Sequence, residues 1–168
     1  YDLLERSHRE GERLFFYFAG HGVTARMDFT NESSIVPEDF TEILTTKAIP
    51  LRSIFELFDA CGFREQFFIV DACRNIPWQS ERREFRVGPL DRPLQATPPA
   101  PVQFIMYATS PLIQAVESGQ PGNEGGAFTE ALLGGLAGDG TAKVWDRDGY
   151  VVRWPELFAY VEQAVKRQ

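Results

Sequence analysis

The chain holds two cysteines and two histidines, so a thiol and an imidazole can be paired for chemistry in few ways. Cys73 follows the run Phe67-Phe68-Ile69-Val70-Asp71-Ala72 and precedes Arg74-Asn75. A structural cysteine belongs inside such an apolar run. This one falls just past it, between Asp71 and Arg74, where a thiolate can be both stabilised and reached. A nucleophilic thiol needs a base within hydrogen-bond reach. His21 ends a second apolar run, Leu14-Phe15-Phe16-Tyr17-Phe18-Ala19-Gly20, and the glycines on either side of it are expected to allow backbone conformations that other residues resist. The remaining candidates read otherwise. His8 lies among charges as a solvated histidine, and Cys61, in Asp59-Ala60-Cys61-Gly62, closes a helical segment as a packing residue. Cys61 would sit at the opposite end of the sheet from His21.

These two groups can meet only if the elements that carry them are parallel neighbours. Unbroken apolar runs without polar alternation suit strands buried on both faces of a parallel sheet, which bind ligands at their carboxyl ends. The segment from Pro50 to Gly62 has Leu51, Ile54, Phe55 and Phe58 at helical spacing, with Pro at its start and Gly at its stop, and supplies the crossover that parallel strands require. Val102 to Tyr107 reads as a third strand. Ala127 to Leu136 reads as a helix with Phe128, Ala131, Leu132 and Leu136 on one face, closed by Gly138 and covering the sheet. Lys143-Val144-Trp145 and Tyr150-Val151-Val152 read as a hairpin. A final helix, Trp154 to Lys166, should turn Leu157, Phe158, Val161 and Val165 inward. Residues 2 to 11 suggest a short polar helix. Residues 23 to 49 are mixed, with Thr30 to Ser34 as a loop and Ile35-Val36 as a short extension, and would wall the cleft. Residues 76 to 101, rich in Arg, Glu and Pro, read as a long surface loop.

Composition narrows the function classes. With 168 residues and 43% hydrophobic content, one α/β domain can bury a sizeable core. A net charge of −7, with the basic residues scattered among acids, argues against nucleic acid. Two cysteines make neither a disulfide framework nor a metal cluster, which fits a reducing, cytoplasmic setting, and no run approaches transmembrane length. No cofactor is expected. Gly119 to Gly126 lacks the strand, helix and lysine of a phosphate loop. Asp146-Arg147-Asp148-Gly149 has Pro155 where a calcium loop needs an acid, so a hairpin turn is preferred.

The ordered set Tyr17-Phe18-Ala19-Gly20-His21-Gly22, then Asp71-Ala72-Cys73-Arg74-Asn75 52 residues after the histidine, resembles the caspase and metacaspase superfamily of cysteine peptidases, in which the histidine lies about 50 residues ahead of the cysteine. The resemblance is closest to bacterial caspase-like, metacaspase-type domains. It extends through Tyr107-Ala108-Thr109-Ser110-Pro111 and Phe128-Thr129-Glu130-Ala131-Leu132-Leu133, covering roughly residues 12 to 165. It implies the three-layer caspase-haemoglobinase fold, with residues 1–75 as a large-subunit-like part, 76–101 as an intersubunit-like loop and 102–168 as a small-subunit-like part. The family's first strand, which pairs beside the histidine-bearing one, would be missing from this chain. An N-terminal segment of the same protein is therefore expected to complete the sheet along the strand of Leu14 to Phe18.

The function this implies is a cysteine endopeptidase with His21 and Cys73 as catalytic dyad and the backbone amides of Gly22 and Cys73 as oxyanion hole. Asp71 stands where metacaspases, which cut after Arg or Lys, carry an acid. It is expected to bind a basic substrate side chain, with Ser110 at the next strand end and Glu117 as a second acid. The family's acid nearer that strand end is replaced by Pro111 or Leu112. Capping or surface roles are the alternatives for Asp71 and Glu117. Arg82, Arg83, Arg86 and Arg92 offer cleavage points if the chain processes itself, a plain linker being the other reading. The competing functional readings are a catalytically silent caspase-like assembly module and a separase-like peptidase.

Overall fold

The structure, a computed structural model, describes residues 11–27, 30–38, 48–59, 61–72, 100–108 and 126–167. The expectations for residues 2 to 10, for the loop from 76 to 99, and for Cys73, Ser110 and Glu117 lie outside these residues. The chain divides into two compact units, 1–114 and 115–168.

In the first unit, β1 (Gly11–Gly20), β5 (Phe63–Ala72) and β6 (Val102–Tyr107) form a sheet in the order β1-β5-β6, parallel throughout. The apolar runs become strands as their composition requires. β5, the middle one, buries Phe68, Ile69 and Val70 almost completely. Alternation sorts the side chains into two faces. Phe68, Val70 and Ala72 join Leu14, Phe16, Phe18, Ile105 and Tyr107 in a core with Leu51, Ile54 and Phe58 of α1 (Leu51–Phe58). On the other face Phe15, Phe67 and Phe104 stand in register and stack in a row, with ring centroids 4.7 and 4.9 Å apart. Phe15 and Tyr17 remain 63% and 48% exposed, and among the described residues no strand pairs with the outer edge of β1.

Between β1 and α1 the chain builds a second sheet from β2 (Gly22–Met27), β3 (Thr30–Ile35) and β4 (Ile49–Pro50), antiparallel in that order. This corrects the reading of Thr30 to Ser34 as a loop. Its polar composition hides a buried layer. Thr24, Ser33 and Ser34 are buried, with Thr24 Oγ1 3.4 Å from Ser33 Oγ, so hydroxyls partly take the place of an apolar stripe.

α1 stops at Phe58, earlier than the glycine at 62 suggested. The last carbonyls of a helix lack partners within it. Here Phe55 accepts the Asp59 N–H, and side chains from outside add to this. Fully buried Gln66 on β5 donates through Nε2 to the Phe58 carbonyl at 2.8 Å. Gln103 on β6 brings its Nε2 to the Phe55 carbonyl, Asp59 Oδ1 and Gln66 Oε1 at 3.0, 2.9 and 3.1 Å. Cys61 also donates its N–H to Phe58 and is buried in the same core. It lies at the start of β5, the end opposite to Gly20, as expected for a packing residue.

The second unit contains α2 (Ala127–Leu136), a 3₁₀ turn (Gly140–Ala142), the hairpin β7 (Lys143–Asp146) and β8 (Gly149–Val152), and α3 (Trp154–Val165). Gly138, at φ +84°, closes α2. The Asp139 and Gly138 N–H groups bond back to the Gly134 and Gly135 carbonyls, which is the Schellman arrangement. Two side chains face differently from the sequence reading. α2 meets α3 through Gly135, where a Cβ would come within 2.5 Å of Leu157 Cδ1. That rotation leaves Leu136 48% exposed, and α3 buries the Leu157 and Val161 stripe while Phe158 is 44% exposed. Among the described residues no helix is long and apolar enough to cross a membrane.

The glutamine pair predicts a specific cost. Gln66→Met keeps length and removes both the donor to Phe58 and the acceptor for Gln103, so stability should fall by about 1–3 kcal/mol, read by chemical denaturation. A change within a few tenths of a kcal/mol would show that the network contributes little.

Candidate active site

β1 and β5 keep a constant offset along their ladder, ending in the pairs Phe18↔Val70, Ala19↔Asp71 and Gly20↔Ala72. His21 follows directly on the last paired residue of β1. It is exposed and forms the corner at which the chain leaves the first sheet and enters the second at Gly22, which pairs with Ile35. The His21 carbonyl accepts the Val36 N–H at 3.0 Å. The histidine is thus held by paired backbone on both sides while its own side chain stays accessible.

Asp71 is half-buried near the carboxyl end of β5. By alternation it belongs to the face of Phe67 and Ile69, away from α1. It takes part in at least one polar or electrostatic interaction there. Cys73, Ser110 and Glu117 lie outside the described residues, so of the expected site the structure places His21, Gly22 and Asp71 at one end of the parallel sheet.

The glycines beside His21 have a different reason from the one expected. Neither Gly20 nor Gly22 takes a positive φ, which among the described glycines occurs at Gly138 and Gly140. Gly20 answers to space. A Cβ there would lie 3.0 Å from Cζ and 3.3 Å from Cε1 of Phe18, whose ring packs on the α1 core. The sequence reading also passed over Glu32, a half-buried carboxylate on β3. Its signal was an acid in the middle of a polar stretch, which looked like solvent-facing loop.

The family description "Caspase domain" matches residues 2–168. A probable protease of a Desulfuromonadales bacterium is 56% identical over 169 residues, covering 99% of this chain. The chain spans 20% of the length of that relative.

The contact at Gly20 can be tested by a double-mutant cycle. Gly20→Ala should cost about 1 kcal/mol by crowding the Phe18 ring, and the cost should shrink when Phe18 is shortened to Leu. Equal costs in both backgrounds, by chemical denaturation, would mean that the ring is not what excludes a side chain.

Proposed function

Since the chain belongs to the caspase family of cysteine peptidases, we propose that His21 and Cys73 form its catalytic dyad and that it cleaves peptide bonds after Arg or, second, Lys. The observation that supports this is the parallel register. Gly20 pairs with Ala72, and in the sequence His21 and Cys73 directly follow these two residues. Neighbouring strands run about 4.8 Å apart, so a ladder continued by one residue would bring a thiol and an imidazole within reach of a shared proton.

In this mechanism His21 takes the proton of the Cys73 thiol as sulfur attacks the scissile carbonyl carbon. The backbone N–H groups of Gly22 and Cys73 hold the oxyanion, and the C–N bond breaks as His21 returns the proton to the leaving amine. Water then attacks the thioester, with His21 accepting its proton and handing it to the departing sulfur. The Asp71 carboxylate pairs with the guanidinium or ammonium of the residue before the cut, with Ser110 and Glu117 completing the pocket. A charge-assisted hydrogen bond of this kind contributes roughly 1.5–3 kcal/mol and is about as costly when left unpaired. A reducing, cytoplasmic setting keeps the thiol available.

The same reading assigns the open edge of β1 to an N-terminal segment of the protein, added as a further strand beside Phe15 and Tyr17, since a long apolar edge left bare invites association. The chain on its own should self-associate in sedimentation measurements. A monomer that melts cooperatively would remove that assignment.

Labelling with an irreversible thiol-directed probe and turnover of a peptide library test the dyad and the specificity together. Cys73→Ala should abolish labelling and lower turnover by at least about 10³-fold. Asp71→Ala should reduce the preference for Arg by roughly ten- to a hundredfold. Labelling unchanged in Cys73→Ala would defeat the dyad. A preference for Asp before the cut, or an Arg preference that survives Asp71→Ala, would defeat the assigned pocket.

A further inference from the structure

The face of the parallel sheet turned away from α1 changes character along the strands. Phe15, Phe67 and Phe104 cross it as one stacked row. Two residues nearer the carboxyl end come Tyr17, Ile69 and Met106, again in register. Ile69 and Met106 are buried, whereas Tyr17 is 48% exposed. Two residues further still, Ala19 of β1 pairs with Asp71 of β5, beyond the last β5 to β6 pair, Val70↔Tyr107. Ala19 is itself exposed and Asp71 half-buried. The Asp71 carboxylate therefore has only a methyl group beside it on β1, and next to that, along the same strand and face, an accessible aromatic ring.

The spacing decides what acid and ring can do together. Strands lie about 4.8 Å apart and rise about 3.3 Å per residue, which puts the Cα atoms of Tyr17 and Asp71 about 8 Å apart on one face. Ala19 fills little of that interval. An aromatic face attracts a cation within about 6 Å of its centroid, and a carboxylate holds one at hydrogen-bond distance. Both demands together suit a guanidinium better than an ammonium. The guanidinium is planar, so it can lay its face on a ring while the N–H groups at its edge fork onto a carboxylate. An ammonium meets the carboxylate as a compact, strongly hydrated point charge and gains less from the ring.

We propose that Tyr17 is a specificity-determining residue, whose ring stacks on the guanidinium held by Asp71 and so sets Arg ahead of Lys before the cut. This inference rests on the pocket for a basic residue assigned to Asp71 above. It concerns only the choice between two cations, because Asp71 supplies the charge that both require. A ring that served only as packing over its neighbours on the sheet would affect all substrates alike.

The test compares kcat/KM on peptides that differ only in Arg or Lys before the cut. Both values come from one preparation, so an unfolded fraction cancels from their ratio. Tyr17→Leu should lower kcat/KM for Arg about three- to tenfold and for Lys less than about twofold. Tyr17→Phe, which keeps the ring, should leave the ratio within about twofold of the parent. Tyr17→Ile, with a stronger preference for strands, serves if Leu does not fold. If Leu and Ile leave the ratio unchanged, whether both substrates lose equally or neither does, while Asp71→Ala still reduces the preference for basic residues, the role of Tyr17 is wrong and the pocket stands. A ratio that falls as far in Tyr17→Phe as in Tyr17→Leu would trace the effect to the hydroxyl and overturn the stacking. If the parent does not favour Arg and Lys over uncharged residues, or if that preference survives Asp71→Ala, the pocket itself fails and the inference with it.

Discussion

The parallel ladder between β1 and β5 holds one offset from Arg13↔Glu65 to Gly20↔Ala72, and because side chains alternate along a strand, that offset also decides which residues share a face. A slip of one residue would exchange the faces. β5 is apolar on both, so hydrophobic burial alone discriminates poorly between registers. The polar residues supply the difference. Gln66 lies within the α1 core only in the observed register, where its Nε2 meets the Phe58 carbonyl and its Oε1 meets Gln103. A slip would bring Glu65 or Phe67 to that place and leave buried donors and acceptors unpaired. The Arg13 to Glu65 ion pair, 2.7 Å long, fits the same register but is solvent-exposed, so it adds little.

α1 shows how the two sheets share one helix. With eight residues it is too short to be stable alone. Its end is met by Gln66 and Gln103 from β5 and β6. Partners from the parallel sheet thus fix where the helix ends. A proposed base and nucleophile that follow different strands need such a common reference, since neither strand's own sequence positions the other.

Much of this was legible in the residues themselves. The runs Leu14 to Phe18, Phe67 to Val70 and Val102 to Tyr107 were long enough in β-forming, apolar side chains to declare strands of a parallel sheet. The helical spacing of Leu51, Ile54 and Phe58 identified the crossover. The turn chemistry around Gly138 and Gly149 marked the ends of α2 and of the hairpin. Of the candidate site, the place of His21 directly after a buried strand was legible, since the apolar run ahead of it ends at Gly20.

What sequence could not decide was set by partners distant in the chain. Thr24, Ser33 and Ser34 are buried where β2 pairs with β3; read singly, Ser33 and Ser34 are loop residues. A side chain at Gly20 would crowd the Phe18 ring, with Cβ 3.0 Å from Cζ, and Gly20 does not take a positive φ. Phe158 and Leu136 are exposed because Gly135 draws α3 onto another side of α2. The sequence by itself determined the strands of the parallel sheet, the helices and the residues that can do chemistry, since those follow from local pattern and residue type, but not the polar strand β3. Only the tertiary structure decided the register that brings the end of β1 beside the end of β5, because register is a property of two strands and of the buried polar contacts that tell one alignment from the next.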